Sequence, residues 1–143
     1  MFRKILYPTD FSDTSKKVIP YLKELKCAGT EEVVILHVID PYLRIPALYA
    51  ADEFLRALDK MAIMAKEAAG EVAEILNDVG IKASVRIEQG LPLREILRVE
   101  IEEDVSLIAI GSHGRSNLEE VLLGSVSENV IRKAKAPVIV IKR

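Results

Sequence analysis

The chain has 143 residues, half of them apolar, with 20 Lys+Arg against 22 Asp+Glu for a formal net charge of −2. That length fits one domain with a real core, and the balanced charge gives no general footprint for nucleic acid or for an anionic membrane surface. The N-terminal apolar run Ile5-Leu6-Tyr7 is too short for a signal peptide, no run approaches the roughly 18 apolar residues that span a bilayer, and the single Cys27 cannot form an internal disulfide. The expectation is a soluble cytoplasmic protein with neither nucleic acid nor membrane as partner.

Arg3 to Tyr7 reads as a first strand, closed by Pro8. Thr14 to about Ala28 reads as a helix, with Val18, Tyr21, Leu22 and Leu25 on one face and Gly29 as its stop. Pro20 inside it predicts a kink or an early break, and Cys27 at its end reads as a packing residue. Val33 to Ile39 is a second strand, apolar almost throughout as a strand buried on both faces should be. His37 within it reads as a packed, hydrogen-bonded histidine. Pro41 and Pro46 mark an irregular connection. A long helix follows from roughly Ala50 to Asn77, with Phe54, Leu58, Met61, Ala65, Ala68, Val72 and Leu76 spaced by three and four. Its stripe, Met61 and Met64 included, is expected to face the core, with Gly80 as C-cap. Ile81 to Glu88 alternates as a third strand near an edge. Leu93 to Glu102 is a helix with Pro92 in its first turn. Val105 to Ile110 is a fourth strand, Val126 to Ala134 a last helix and Val138 to Ile141 a fifth strand.

This alternation argues for one α/β domain over residues 1–143, a parallel sheet with helices on both faces. Ligands of such sheets bind beyond the C-terminal ends of the strands, where the strand order reverses. The fourth strand runs into Gly111-Ser112-His113-Gly114, and Gly124-Ser125 opens the last helix. Glycines that admit close approach beside a helix start suit a phosphate, because the first N–H groups and the helix dipole favour an anion. A plain structural reading competes: Gly111 ends a strand, Ser125-x-x-Glu128 is a capping box, and Asn117 to Glu120 is a similar start signal. Neither G-x-G-x-x-G nor G-x-x-x-x-G-K-[ST] is present.

Gly111-x2-Gly114-x9-Gly124-Ser125 resembles the G-x2-G-x9-G-[ST] signature of the universal stress protein family, in its ATP-binding subclass. Lys4 to Ser12, His37-Val38, Gly124 to Glu128 and Ala136 to Val140 are similar to further segments of that family, so the resemblance runs along essentially the whole chain. It implies a five-stranded sheet of order 3-2-1-4-5, an adenine nucleotide α-hydrolase-like, Rossmann-like fold. It also implies ATP as ligand, with Mg2+ or Mn2+ held mainly through the phosphates.

The same resemblance distributes roles. Asp10 would accept hydrogen bonds from the ribose hydroxyls, while its other reading is an Asx turn or cap before Ser12. Pro8 and Thr9 shape that loop, with Pro8 on the adenine side. Val38 could read adenine only through its backbone N–H and C=O. Gly111, Gly114 and Gly124 would allow close approach to phosphates. Ser125, Val126 and Ser127 would donate N–H groups, and the two serine hydroxyls would add donors. His113 is either a phosphate contact or a polar loop residue, and Arg115 is exposed or steers phosphates. The family commonly dimerises through its fifth strand, which makes Val138 to Ile141 the expected homodimer edge. The leading function is a nucleotide-dependent regulatory or stress-response module. The alternatives are a slow ATPase or nucleotidyl-transfer enzyme, or a dimerisation scaffold. The S-G-G-x-D-S loop and the H-x-G-H motif of related enzymes are absent.

Overall fold

Lys4–Pro8 (β1), Glu32–Ile39 (β2), Lys82–Gln89 (β3), Leu107–Gly111 (β4) and Val138–Ile141 (β5) form one parallel sheet of order β3-β2-β1-β4-β5. The computed structural model describes residues 1–44, 46, 48–112 and 123–142. The helices are Asp13–Lys16 (α1), Val18–Leu25 (α2), Pro41–Arg44 (α3), Ala51–Asp78 (α4), Pro92–Glu102 (α5) and Ser125–Lys133 (α6).

Alternation along the central strands builds two apolar layers. Ile5, Tyr7, Val33 and Ile35 pack with Val18 and Leu22 of α2 and with Ala69, Val72 and Leu76 of α4. Leu6, Val34, Leu36, Ile108 and Ile110 face the other way, onto Ile96 and Val99 of α5 and Val130 of α6. Removing such side chains from water is the main stabilising term, at about 1.5–3 kcal/mol for each fully buried one. Tyr7 lies wholly inside; burial pushes its phenol up, and its hydroxyl donates to the Ser15 carbonyl at 2.9 Å.

Several expectations shift. The helix expected over Thr14 to Ala28 is three pieces, α1, α2 and a 3-10 turn at Lys26–Ala28. The break falls at Lys17 because Pro20 has no N–H to give the Lys16 carbonyl and its ring crowds that turn; Pro20 itself sits in the first turn of α2. The connection after β2 contains the short α3, started by Asp40, whose Oδ1 accepts from the Tyr42 N–H at 3.0 Å. Cys27 is exposed rather than packed. Met61 packs against a small cluster with Ile39 and Leu58, whereas Met64 is 59% exposed and leaves the stripe. β4 begins at Leu107; Val105, expected as its start, is buried ahead of it.

Candidate functional site

β1 and β4 are neighbours at the centre of the sheet, and the chain leaves them toward opposite sides. Their C-terminal ends therefore frame the switch-point crevice. Three segments meet there: the turn Pro8 to Ser12, the end of β2, and the start of α6 with Ser112.

The turn is built by side chains taking over backbone bonds. β1 pairs with β2 as far as Pro8↔Leu36, and the Thr9 N–H still donates to the Leu36 carbonyl at 2.8 Å. There the ladder stops. The Phe11 N–H donates to Thr9 Oγ1 at 3.0 Å, Ser15 Oγ donates to the same oxygen at 2.7 Å, and the Ser12 N–H donates to Asp10 Oδ1 at 2.9 Å. His37 Nδ1 lies 2.8 Å from the Thr9 carbonyl. A carbonyl only accepts, so Nδ1 carries the proton in this contact. The His37 ring also stacks on Phe11, with centroids 5.0 Å apart and planes at 30°. Phe11 has φ 60, an uncommon backbone for a bulky residue. Thr9, expected to shape the loop, is buried and engaged on both its backbone and its hydroxyl.

Val38 follows from the register. Successive strand residues turn their backbone polar groups to opposite edges. The Leu36 carbonyl accepts from Thr9 and the Ile39 carbonyl from Gly90, so even-numbered residues of β2 face β1 and odd-numbered ones face β3. Val38 thus turns its N–H and C=O toward the β1 side, past the last rung at Pro8↔Leu36. Its side chain packs with the α5–α6 layer.

On the β4 side, Ser112 is a junction. Its N–H donates to the Ile141 carbonyl at 2.8 Å, and its own carbonyl accepts from the Gly124 N–H at 2.6 Å and from Ser127 Oγ at 2.8 Å. The N-cap of α6 is Gly124, not Ser125, with no side chain closing the cap, so the expected Ser-x-x-Glu box does not form. Ser125 is the exposed first residue of the helix, and Glu128 instead pairs with Arg132 at 2.8 Å. The first helical bond runs from the Glu128 N–H to the Gly124 carbonyl. The N–H groups of Ser125, Val126 and Ser127 accordingly have no acceptor within the helix. Ser127 differs from its expected role: its hydroxyl is buried and turned inward to Ser112 and Gly124.

Gly111 also has a packing task. A Cβ there would stand 3.2 Å from Ser15 Cα and 3.3 Å from the Thr14 carbonyl oxygen. The missing side chain lets β4 close on α1. Asp10 forms the Asx turn that competed with its ribose role. His113, Gly114 and Arg115, and the start signal at Asn117 to Glu120, lie outside the described residues. Among the described residues no group of three or more His, Cys, Asp or Glu side chains could hold a metal ion, and no helix is long and apolar enough to cross a membrane.

The universal stress protein family profile matches residues 1–142. The chain belongs to the universal stress protein family. It is 41% identical to universal stress protein MJ0577 of Methanocaldococcus jannaschii, over all of this chain and 96% of that one. The solved MJ0577 structure superposes with a TM-score of 0.92, covering 100% of this chain and 97% of its own. Universal stress protein YxiE of Bacillus subtilis is 32% identical over 99% of this chain and 100% of its own. A universal stress protein family protein from Arabidopsis thaliana, solved with AMP bound, is similar in fold, with a TM-score of 0.66 at 18% identity over 99% of this chain and 92% of that one.

Within this universal stress protein, the glycine signature is thus divided in purpose. Gly111 serves strand–helix packing and Gly124 caps the last helix. A bonded His37 is legible in the sequence, but the Thr9 carbonyl as a partner of its Nδ1 and the stacked Phe11 are not. The available signal was a lone histidine in an otherwise aliphatic strand, level with the end of β1.

Proposed function

We propose that the chain is an ATP-binding regulatory module of the cytoplasm, whose bound nucleotide sets its shape or its partners. The observation that carries this reading is two sets of backbone groups with no partner among the described residues: those of Val38, past the last β1–β2 rung, and the first N–H groups of α6. Val38's N–H and C=O form a donor–acceptor pair suited to an adenine edge. The N–H groups of Ser125, Val126 and Ser127 suit phosphate oxygens. Asp10, on the turn between them, suits ribose hydroxyls. The AMP carried by the Arabidopsis relative agrees with an adenine nucleotide in this fold. Mg2+ or Mn2+ would be held through the phosphates and water, as Mg2+ prefers.

The homodimer reading rests on β5. It is an edge strand of four apolar residues, and Pro137 and Ile141 turn their carbonyls to β4. Val138 and Val140 therefore present their N–H and C=O outward, where a second copy can pair across a two-fold axis.

Denaturing freshly purified protein and analysing the supernatant for nucleotide tests the binding reading. Stoichiometric ATP is the expected result. An empty site that also gives no thermal shift with added MgATP contradicts it, and steady ADP release would move the assignment to an ATPase.

A further inference from the structure

We propose that His37 is the positioning residue that opens the base and ribose subsites, by diverting the end of β1 away from β2. The inference rests on the nucleotide reading above and deepens it. Continuing the register from Pro8↔Leu36, the next rung would set residue 10 opposite Val38. The Val38 N–H would then donate to the Thr9 carbonyl, and the Phe11 N–H to the Val38 carbonyl. Neither bond forms. The Thr9 carbonyl receives His37 Nδ1 at 2.8 Å, and the Phe11 N–H turns to Thr9 Oγ1 at 3.0 Å. Two side chains thus take the partners that Val38 would otherwise have. The His37 ring then covers Phe11, holding that residue at φ 60 and swinging Asp10 out of strand geometry into its Asx turn. One imidazole in this way keeps the Val38 amide open and aims the Asp10 loop. A continued strand would close the first and hide the second.

The expected ligand property is discrimination by the sugar. Wild-type protein should bind ATP more tightly than 2′,3′-dideoxy-ATP, because Asp10 meets the hydroxyls. His37→Phe keeps a ring against Phe11 but loses the N–H donor. It should weaken both nucleotides, because the Val38 amide closes, and should lower the ATP to dideoxy-ATP affinity ratio at least tenfold, because the Asp10 loop is no longer aimed. His37→Asn places an amide donor near the Nδ1 position and should recover most of the ratio. A His37→Phe variant with the full wild-type ratio overturns the inference while the nucleotide reading stands. Wild-type protein that binds both nucleotides equally removes the ribose role of Asp10 and this inference with it; wild-type protein that binds neither removes the nucleotide reading as well. Nitrogen-15 spectra of the wild-type imidazole need no variant. A proton on Nδ1 in the neutral ring supports the inference, and a neutral ring protonated only at Nε2 overturns it.

Discussion

Gly111 shows how a single residue carries two different arguments. In the sequence it is the first glycine of a signature that resemblance reads as a phosphate site; in the fold its absent Cβ is what lets β4 lie against Ser15 and Thr14 of α1. The neighbouring atoms there are backbone, which cannot swing aside. Gly111→Ala should therefore cost about 1–3 kcal/mol of overpacking, read as a lower urea midpoint at unchanged slope. An unshifted midpoint would mean that α1 yields freely. Ser125 teaches a related lesson. Ser-x-x-Glu is a good start signal, but Gly124 already has extended backbone, φ −70 and ψ 158, and takes the cap one residue earlier. The motif was visible; which residue stands at the cap depended on where Ser112 anchors the Gly124 N–H.

Among the elements, those with long periodic patterns were the most legible. The stripe of α4 and the aliphatic runs of β1, β2 and β4 follow from apolar spacing alone, because burial on one stripe or two faces dictates it. The α1–α2 break and α3 were less legible, since each turns on a local contest between a proline and a cap. The Thr9–His37–Phe11 turn was hidden because it depends on register between two strands. Two ties between elements yield predictions. Glu100 of α5 is 4% exposed, and its Oε1 accepts the N–H of Lys135 at 2.7 Å and of Ala136 at 2.6 Å, fixing the approach to β5. Glu100→Ala strands those donors and should cost about 1–3 kcal/mol; Glu100→Gln retains an acceptor oxygen and should cost less. Equal losses in chemical denaturation would argue that packing, not hydrogen bonding, matters there.

The second tie is ionic. Arg86 of β3 reaches Glu88, Glu102 and Glu103, and Lys4 meets Glu103 at 2.8 Å. The Lys4 ammonium is the first cause holding the Glu103 carboxyl below its ordinary value of about 4.5. A carboxyl depressed in the folded state stabilises above its unfolded value, and that contribution is lost as pH falls through the lower folded one. Glu103→Gln should therefore be less stable than wild type at neutral pH, and the difference should shrink as pH drops below about 4.5. Thermal melts across that range check it; a difference that stays constant or grows on acidification contradicts it.

At the scale of the whole molecule, strand order, edges and switch point decide where function can sit. The order β3-β2-β1-β4-β5 was implied by family resemblance and is what the structure shows; alternation of elements alone gave only a parallel α/β sheet. That order leaves β5 on one edge with the backbone of Val138 and Val140 outward. Val140→Pro removes an outward N–H while sparing the bonds to β4, a change that edge strands tolerate. It should give a folded monomer in analytical ultracentrifugation where the parent chain should give a dimer, and a variant that still dimerises would place the interface elsewhere. The same order puts Val38, the Asp10 turn and the start of α6, which is tied to Ser112 just past β4, at one end of the parallel sheet. The most direct test of that arrangement is calorimetric titration of nucleotide-stripped protein with MgATP. One saturable site per chain, lost in Asp10→Ala or strongly weakened, is the predicted result; no heat and no change in melting temperature at millimolar MgATP would contradict it.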